Sequence, residues 1–90
     1  MAAAHFRDAV FHPRFIEDVV YWITHERRVA LKLLELVQAA LRDPFTGLGK
    51  PEPLKSFGSD VWSRRITGEH RLVYHVRHDR IQFLQARYHY

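Results

Sequence analysis

VWSRRITGEHRLVYHVRHDRIQFLQARY, residues 61–88, decides the fold. VWSRRIT, RLVYHV and IQFLQARY are rich in β-branched and aromatic residues, and the short turns GEH and RHD separate them. That pattern predicts three strands in an antiparallel meander. Alternation places Trp62, Arg64 and Ile66 on one side of the first strand and Val61, Ser63 and Arg65 on the other. In the second, Leu72, Tyr74 and Val76 oppose Arg71, Val73 and His75. Both sides hold apolar residues, so period alone does not choose the core. Leu72, Tyr74, Val76, Leu84 and Ala86 are expected to face the rest of the protein, with Arg71 on the opposite side.

Working back towards the N-terminus, residues 43–60 (DPFTGLGKPEPLKSFGSD) hold three prolines and three glycines. This is a loop, with a brief extended piece expected at Pro53 to Lys55 because a residue before proline is pushed out of the helical region. Before it, Ala30, Leu33, Leu34, Val37 and Leu41 recur at the spacing of a helix face pressed on a core, which predicts a helix from about Glu26 to Arg42, stopped by Pro44. Ile16, Val19, Val20 and Ile23 predict another helix opened by Pro13 and capped by Thr24. The two form a hairpin. DAVF, residues 8–11, suits a short first strand.

At 90 residues the chain suits one domain, with residues 1–7 as a leader that need not be ordered. It has no cysteine, which excludes disulfides and thiolate zinc sites and is compatible with a reducing compartment. MAAAHFRD carries no long apolar run, so no secretory signal is expected, and no stretch has the apolar length of a membrane span. The expectation is a cytoplasmic protein. Residues 1–49 hold six Lys or Arg against six Asp or Glu, whereas residues 50–90 hold eight against four. The whole net charge of +4 therefore sits in the second half, which suits either a polyanion partner or an ordinary solvated basic surface.

Four clusters carry the chemistry: KPEPLK (Lys50 to Lys55), WSRR (Trp62 to Arg65), EHRLVY (Glu69 to Tyr74) and the closing RYHY (Arg87 to Tyr90). One sheet face could gather Arg65, Arg71 and His89, with Glu52 and Lys55 laid over it by the loop. RNA cleavage without metal needs such a set: a base for the 2′-OH, an acid for the departing 5′-oxygen, and fixed cations for the charge on the pentacovalent phosphorus. Taken singly, each residue has a plainer account. Glu52 is a loop carboxylate between two prolines, Arg64 and Arg65 are a solvated strand edge or an ion pair, and His89 is a terminal histidine. Glu17 and Asp18 are solvated carboxylates on a helix. Tyr88 and Tyr90 could stack on bases or simply cover apolar surface. His75 and His78 face opposite sides of a strand end with no carboxylate beside them, so no metal and no cofactor is expected. The same basic face would also serve a domain that occupies RNA without cutting it, or one that takes an acidic protein partner.

In order and spacing, GKPEPLK, WSRRIT, EHRLVY and the closing RYHY resemble the YoeB toxins of the RelE superfamily, from about residue 8 onward. The resemblance implies an α+β domain, a helical hairpin packed on a small twisted antiparallel β-sheet. It implies a toxin of a type II toxin-antitoxin system, a ribosome-dependent endoribonuclease that cuts mRNA in the A site. Its implied partners are a YefM-like antitoxin, the 70S ribosome with its mRNA, and a second copy of the chain, for which Tyr21 and Trp22 offer a contact unless they belong to the core. Carried over by motif, the general base falls on Glu52, the transition-state arginine on Arg71, the general acid on His89, and its supporting tyrosine on Tyr90. Lys50, Lys55 and Arg65 fall on positions that bind RNA or phosphate. Gly58, Asp60 and Gly68 depart from the usual pattern around the first strand of the meander.

Overall fold

The computed structural model describes residues 7–88; His89, Tyr90 and most of the leader lie outside the described residues. Strand β1 (Asp8–Phe11) leads into helices α1 (Pro13–His25) and α2 (Arg27–Arg42). A loop follows, then β2 (Glu52–Pro53), a 3₁₀ turn at Lys55–Phe57, and the meander β3 (Val61–Arg65), β4 (Arg71–Val76) and β5 (Arg80–Gln85). The sheet order is β1-β5-β4-β3-β2. The hairpin packs on one face, as expected of the α+β class. The pairs β2–β3, β3–β4 and β4–β5 are antiparallel. Edge strand β1 adds to β5 in parallel, because the helical hairpin carries the chain back across the sheet in between.

Pro13 sits in the first turn of α1, where a missing N–H costs nothing. Thr24 does not cap this helix; its hydroxyl donates back to the Val20 carbonyl, at 2.9 Å, and α1 runs on to His25. A single non-helical residue, Glu26, then divides the two helices.

The buried face of α1 is Phe15, Asp18 and Trp22, not the expected aliphatic stripe. Ile16, Val20 and Ile23 are 48, 56 and 58% exposed. Both stripes have helical spacing, and the aromatic one takes the core because a ring buries more apolar area than an aliphatic side chain. Phe15 stacks on Phe11 of β1 and packs on Phe83 of β5, at centroid distances of 5.2 and 5.8 Å. On α2 the buried face is Ala30, Leu33, Leu36, Val37 and Ala40, which leaves Leu34 largely exposed.

Leu72, Tyr74, Val76 and Ala86 join this core as expected, with Ile66, Ile81 and Phe83. Leu84 does not. It packs on the opposite face of the sheet against Leu54, Val61 and Val73. Tyr74 pairs with Phe83 but Val73 pairs with Gln85, so Leu84 is the extra residue of a β-bulge. A bulge breaks the alternation that would have placed residues 84 and 86 together.

Candidate active site

The site lies on the sheet face turned away from the helices. β2 pairs with β3 so that Glu52 stands opposite Ser63, and Arg65 stands opposite Arg71 of β4. Alternation then puts Glu52, Ser63, Arg65 and Arg71 on this one face. Glu52 and Arg71 are two strands apart, or about 10 Å at ordinary strand spacing. The arginine crosses that gap: its Nη1 lies 3.3 Å from Glu52 Oε1 and 3.5 Å from Ser63 Oγ. Ser63 is small enough to be bridged and is fully buried. The Arg71 side chain is 20% exposed and that of Glu52 is 58% exposed, so this ion pair contributes under about 1 kcal/mol to the fold. The pair is open to a ligand.

Lys50, Lys55 and Arg65 are exposed. None has a carboxylate partner among the described residues. Gly49 sets the course of the chain into Lys50. Its φ is +84°, and a Cβ there would stand 2.7 Å from Leu36 Cδ2 and 3.1 Å from Arg64 Cβ. Only glycine fits so close a crossing in that conformation. The Gly49 carbonyl accepts the Arg65 N–H at 2.7 Å, which lays the loop beside β3 just before Lys50.

Arg64 is neither a solvated edge nor an ion pair. It is fully buried on the helix side. Its guanidinium donates to the Tyr74 hydroxyl and to the carbonyls of Asp43, Thr46 and Leu48. The Asp43 carboxylate turns away to accept from the Phe45 N–H at 2.9 Å and the Thr46 hydroxyl at 2.8 Å. These bonds, the Phe45 N–H foremost, hold its pKa below the ordinary 3.8.

The end of β5 is tied down on two sides. Asp18, expected to be solvated, is buried and accepts the Ala86 N–H. Trp22 belongs to the core and donates its indole N–H to the Ala86 carbonyl at 2.8 Å. The Arg87 guanidinium lies over the Tyr21 ring, 3.4 Å from its centroid. Tyr88 has a φ of +65°, its N–H donates to His70 Nδ1 at 2.6 Å, and its carbonyl accepts the Arg71 N–H at 3.1 Å. The described chain therefore ends beside Arg71. The expected roles of His89 and Tyr90 lie outside the described residues.

The structure thus brings Glu52, Ser63 and Arg71 together, with Arg65 on the same face. Ser63, His70 and Arg64 were missed as parts of this arrangement. A lone serine inside an aromatic, β-branched strand was the signal for Ser63.

A family model for the YoeB-like toxin of bacterial type II toxin-antitoxin systems matches residues 11–90. The toxin YoeB of Mycobacterium bovis is 46% identical over 84 residues, covering 93% of this chain and 99% of its own length. A YoeB/ParE toxin from Agrobacterium tumefaciens superposes with a TM-score of 0.85 at 41% identity, covering 92% of this chain and 99% of its own. YoeB from Staphylococcus aureus, solved as a dimer, gives 0.85 at 38% identity, covering 93% of this chain and 98% of its own. The same toxin in a heterotetrameric complex with YefM gives 0.81.

Proposed function

The chain belongs to the YoeB-like toxins of bacterial type II toxin-antitoxin systems, and from that premise we propose that it is a ribosome-dependent endoribonuclease cutting mRNA in the A site. The observation that carries this reading is the Arg71–Glu52 pair bridging Ser63 on an open basic face.

Glu52 takes the proton of the ribose 2′-OH. The oxygen attacks the neighbouring phosphorus, and negative charge gathers on the equatorial oxygens. Arg71 meets that charge with a permanent cation whose planar fork matches phosphate oxygens. When the phosphate draws the guanidinium to itself, the Glu52 carboxylate is released to act as base. His89, supported by Tyr90, gives a proton to the departing 5′-oxygen. The products are a 2′,3′-cyclic phosphate and a 5′-hydroxyl. A well-placed acid or base is worth roughly 10²–10⁴ in rate. Lys50, Lys55 and Arg65 hold the flanking phosphates. An open, shallow face grips a flexible message poorly by itself, which is why the ribosome would present the substrate.

The partner at rest is a YefM-like antitoxin, whose acidic groups suit the same cations. A second copy of the chain suits the exposed aliphatic stripe of Ile16, Val20 and Ile23. Among the described residues no helix is long and apolar enough to cross a membrane, which accords with action in the cytoplasm.

Mapping 5′ ends on a translated message tests the proposal. Wild type gives a new end in the A-site codon, and Glu52→Ala gives almost none. A message with 2′-deoxyribose at that position stays whole. Stalled ribosomes on intact mRNA would mean that the domain binds without cutting.

A further inference from the structure

We infer that Arg64 is a positioning residue for the cleavage proposed above: its buried guanidinium is the template for the loop of residues 43–49, and that loop sets where Lys50 and Glu52 enter the site. The inference rests on the cleavage reading.

A wholly buried guanidinium is an expensive side chain to carry, and an apolar residue of similar volume often serves a core as well or better. Arg64 has no carboxylate partner among the described residues. Its donors go to neutral oxygens instead. Nε reaches the Tyr74 hydroxyl at 3.0 Å, Nη1 the Leu48 carbonyl at 2.8 Å, and Nη2 the Thr46 carbonyl at 3.0 Å and the Asp43 carbonyl. Tyr74 extends the set, since its hydroxyl donates to the Pro44 carbonyl at 2.7 Å. Four carbonyls of one irregular loop thus converge on two side chains of the sheet. They have no strand or helix ladder to satisfy them. A flat fork of five N–H donors gathers such a set from one point, which an ammonium or an amide cannot do.

The loop so fixed delivers the site. It ends at Gly49, wedged against Leu36 and Arg64 Cβ and bonded through its carbonyl to the Arg65 N–H. Three residues on, Glu52 takes its register against Ser63. Arg64 lies on the opposite side of β3 from Ser63 and Arg71, so it acts on the reaction through the loop and touches no substrate.

The test compares wild type, Arg64→Lys and Tyr74→Phe, each shown to be folded at the assay temperature by circular dichroism. Single-turnover cleavage on programmed ribosomes separates the maximal rate from half-saturation. Arg64→Lys keeps the charge but loses the fork, so its maximal rate is expected to fall at least ~10-fold with half-saturation within about threefold. Tyr74→Phe, which keeps the guanidinium, loses a smaller factor. Hydrogen exchange is read on the same proteins: the Arg65 amide is expected to exchange at least ~10-fold faster in Arg64→Lys, while the amides of β4 keep their protection. A folded Arg64→Lys with the wild-type maximal rate overturns the inference, as does unchanged Arg65 protection. If Arg64→Lys does not fold, wild-type rate and exchange in Tyr74→Phe overturn it. A wild type that cuts nothing overturns the cleavage reading itself, and so is distinguished from a failure of Arg64.

Discussion

Asp18 on α1 accepts the backbone N–H of Ala86 at 2.8 Å, tying the helical hairpin to the last turn of chain before Arg87 and Tyr88. Its other oxygen meets Arg14 Nε at 3.3 Å, and that arginine is half exposed, so the pair itself adds little. The bond to Ala86 matters more, because a buried N–H left without a partner is costly. Asp18→Ala is expected to lose about 2 kcal/mol, or roughly 8–16 °C in Tm for a domain of this size. Asp18→Asn, which keeps an acceptor, loses less than half of that. Thermal melts of the two variants check the order.

Ser63 is predicted to matter for what it does not occupy. Ser63→Leu inserts a branched side chain where Arg71 crosses to Glu52. Overpacking of this kind costs about 1–3 kcal/mol, which leaves a folded protein to assay. Cleavage should fall by ~10² or more, since both groups are displaced together. Ser63→Ala should stay within a few-fold of wild type. Equal activity in both variants would show that the pair does not act as a unit.

The Tyr74 hydroxyl sets an alkaline limit. Burial raises its pKa above the ordinary 10.0, against an opposing pull from the Arg64 guanidinium. Above that ordinary value the native state keeps a proton that the unfolded state gives up. The unfolded state then binds fewer protons, and stability falls as pH rises past about 10. Denaturation midpoints from pH 8 to 11 should drop for wild type. They should drop less for Tyr74→Phe, which begins lower because Arg64 and the Pro44 carbonyl each lose a partner.

The two stripes of α1 can be told apart by substitution. Val20→Lys and Ile23→Lys should each change the stability of the single copy by less than about 0.5 kcal/mol, because there both side chains already stand in water. Trp22→Ala, which empties a core position and strands the Ala86 carbonyl, should cost about 3–5 kcal/mol. Urea unfolding of the three variants, at a dilution where the wild type is monomeric, measures this, and a large loss in Ile23→Lys there would restore the aliphatic face as the core.

The meander was legible because strand periodicity, β-branched composition and short turns agree over residues 61–88. That agreement put Arg71 on the correct face, whereas the extended piece expected at Pro53 to Lys55 stands earlier, at Glu52–Pro53, and Lys55 opens a 3₁₀ turn instead. The helix faces were not legible to the same degree. Phe15 and Trp22 compete with Ile16 and Val20 at one period, and only the aromatic packing with Phe11 and Phe83 decides. Leu84 was misplaced because a bulge is one residue of broken alternation with no glycine to announce it. Asp18 and Arg64 read as surface residues because their partners are backbone groups far along the chain, and a carbonyl leaves no mark in sequence. Their burial is a property of the assembled layers.

Arg71 touches Tyr88 with its main chain and Glu52 with its side chain. The backbone N–H fixes the departing C-terminal segment, and the guanidinium fixes Glu52. The spacing between Tyr88 and the Glu52 carboxylate is therefore gauged within one amino acid, so small errors of sheet twist or helix packing do not accumulate between them. So small a fold has few elements with which to make a rigid frame, and a single shared reference point lets it do without one.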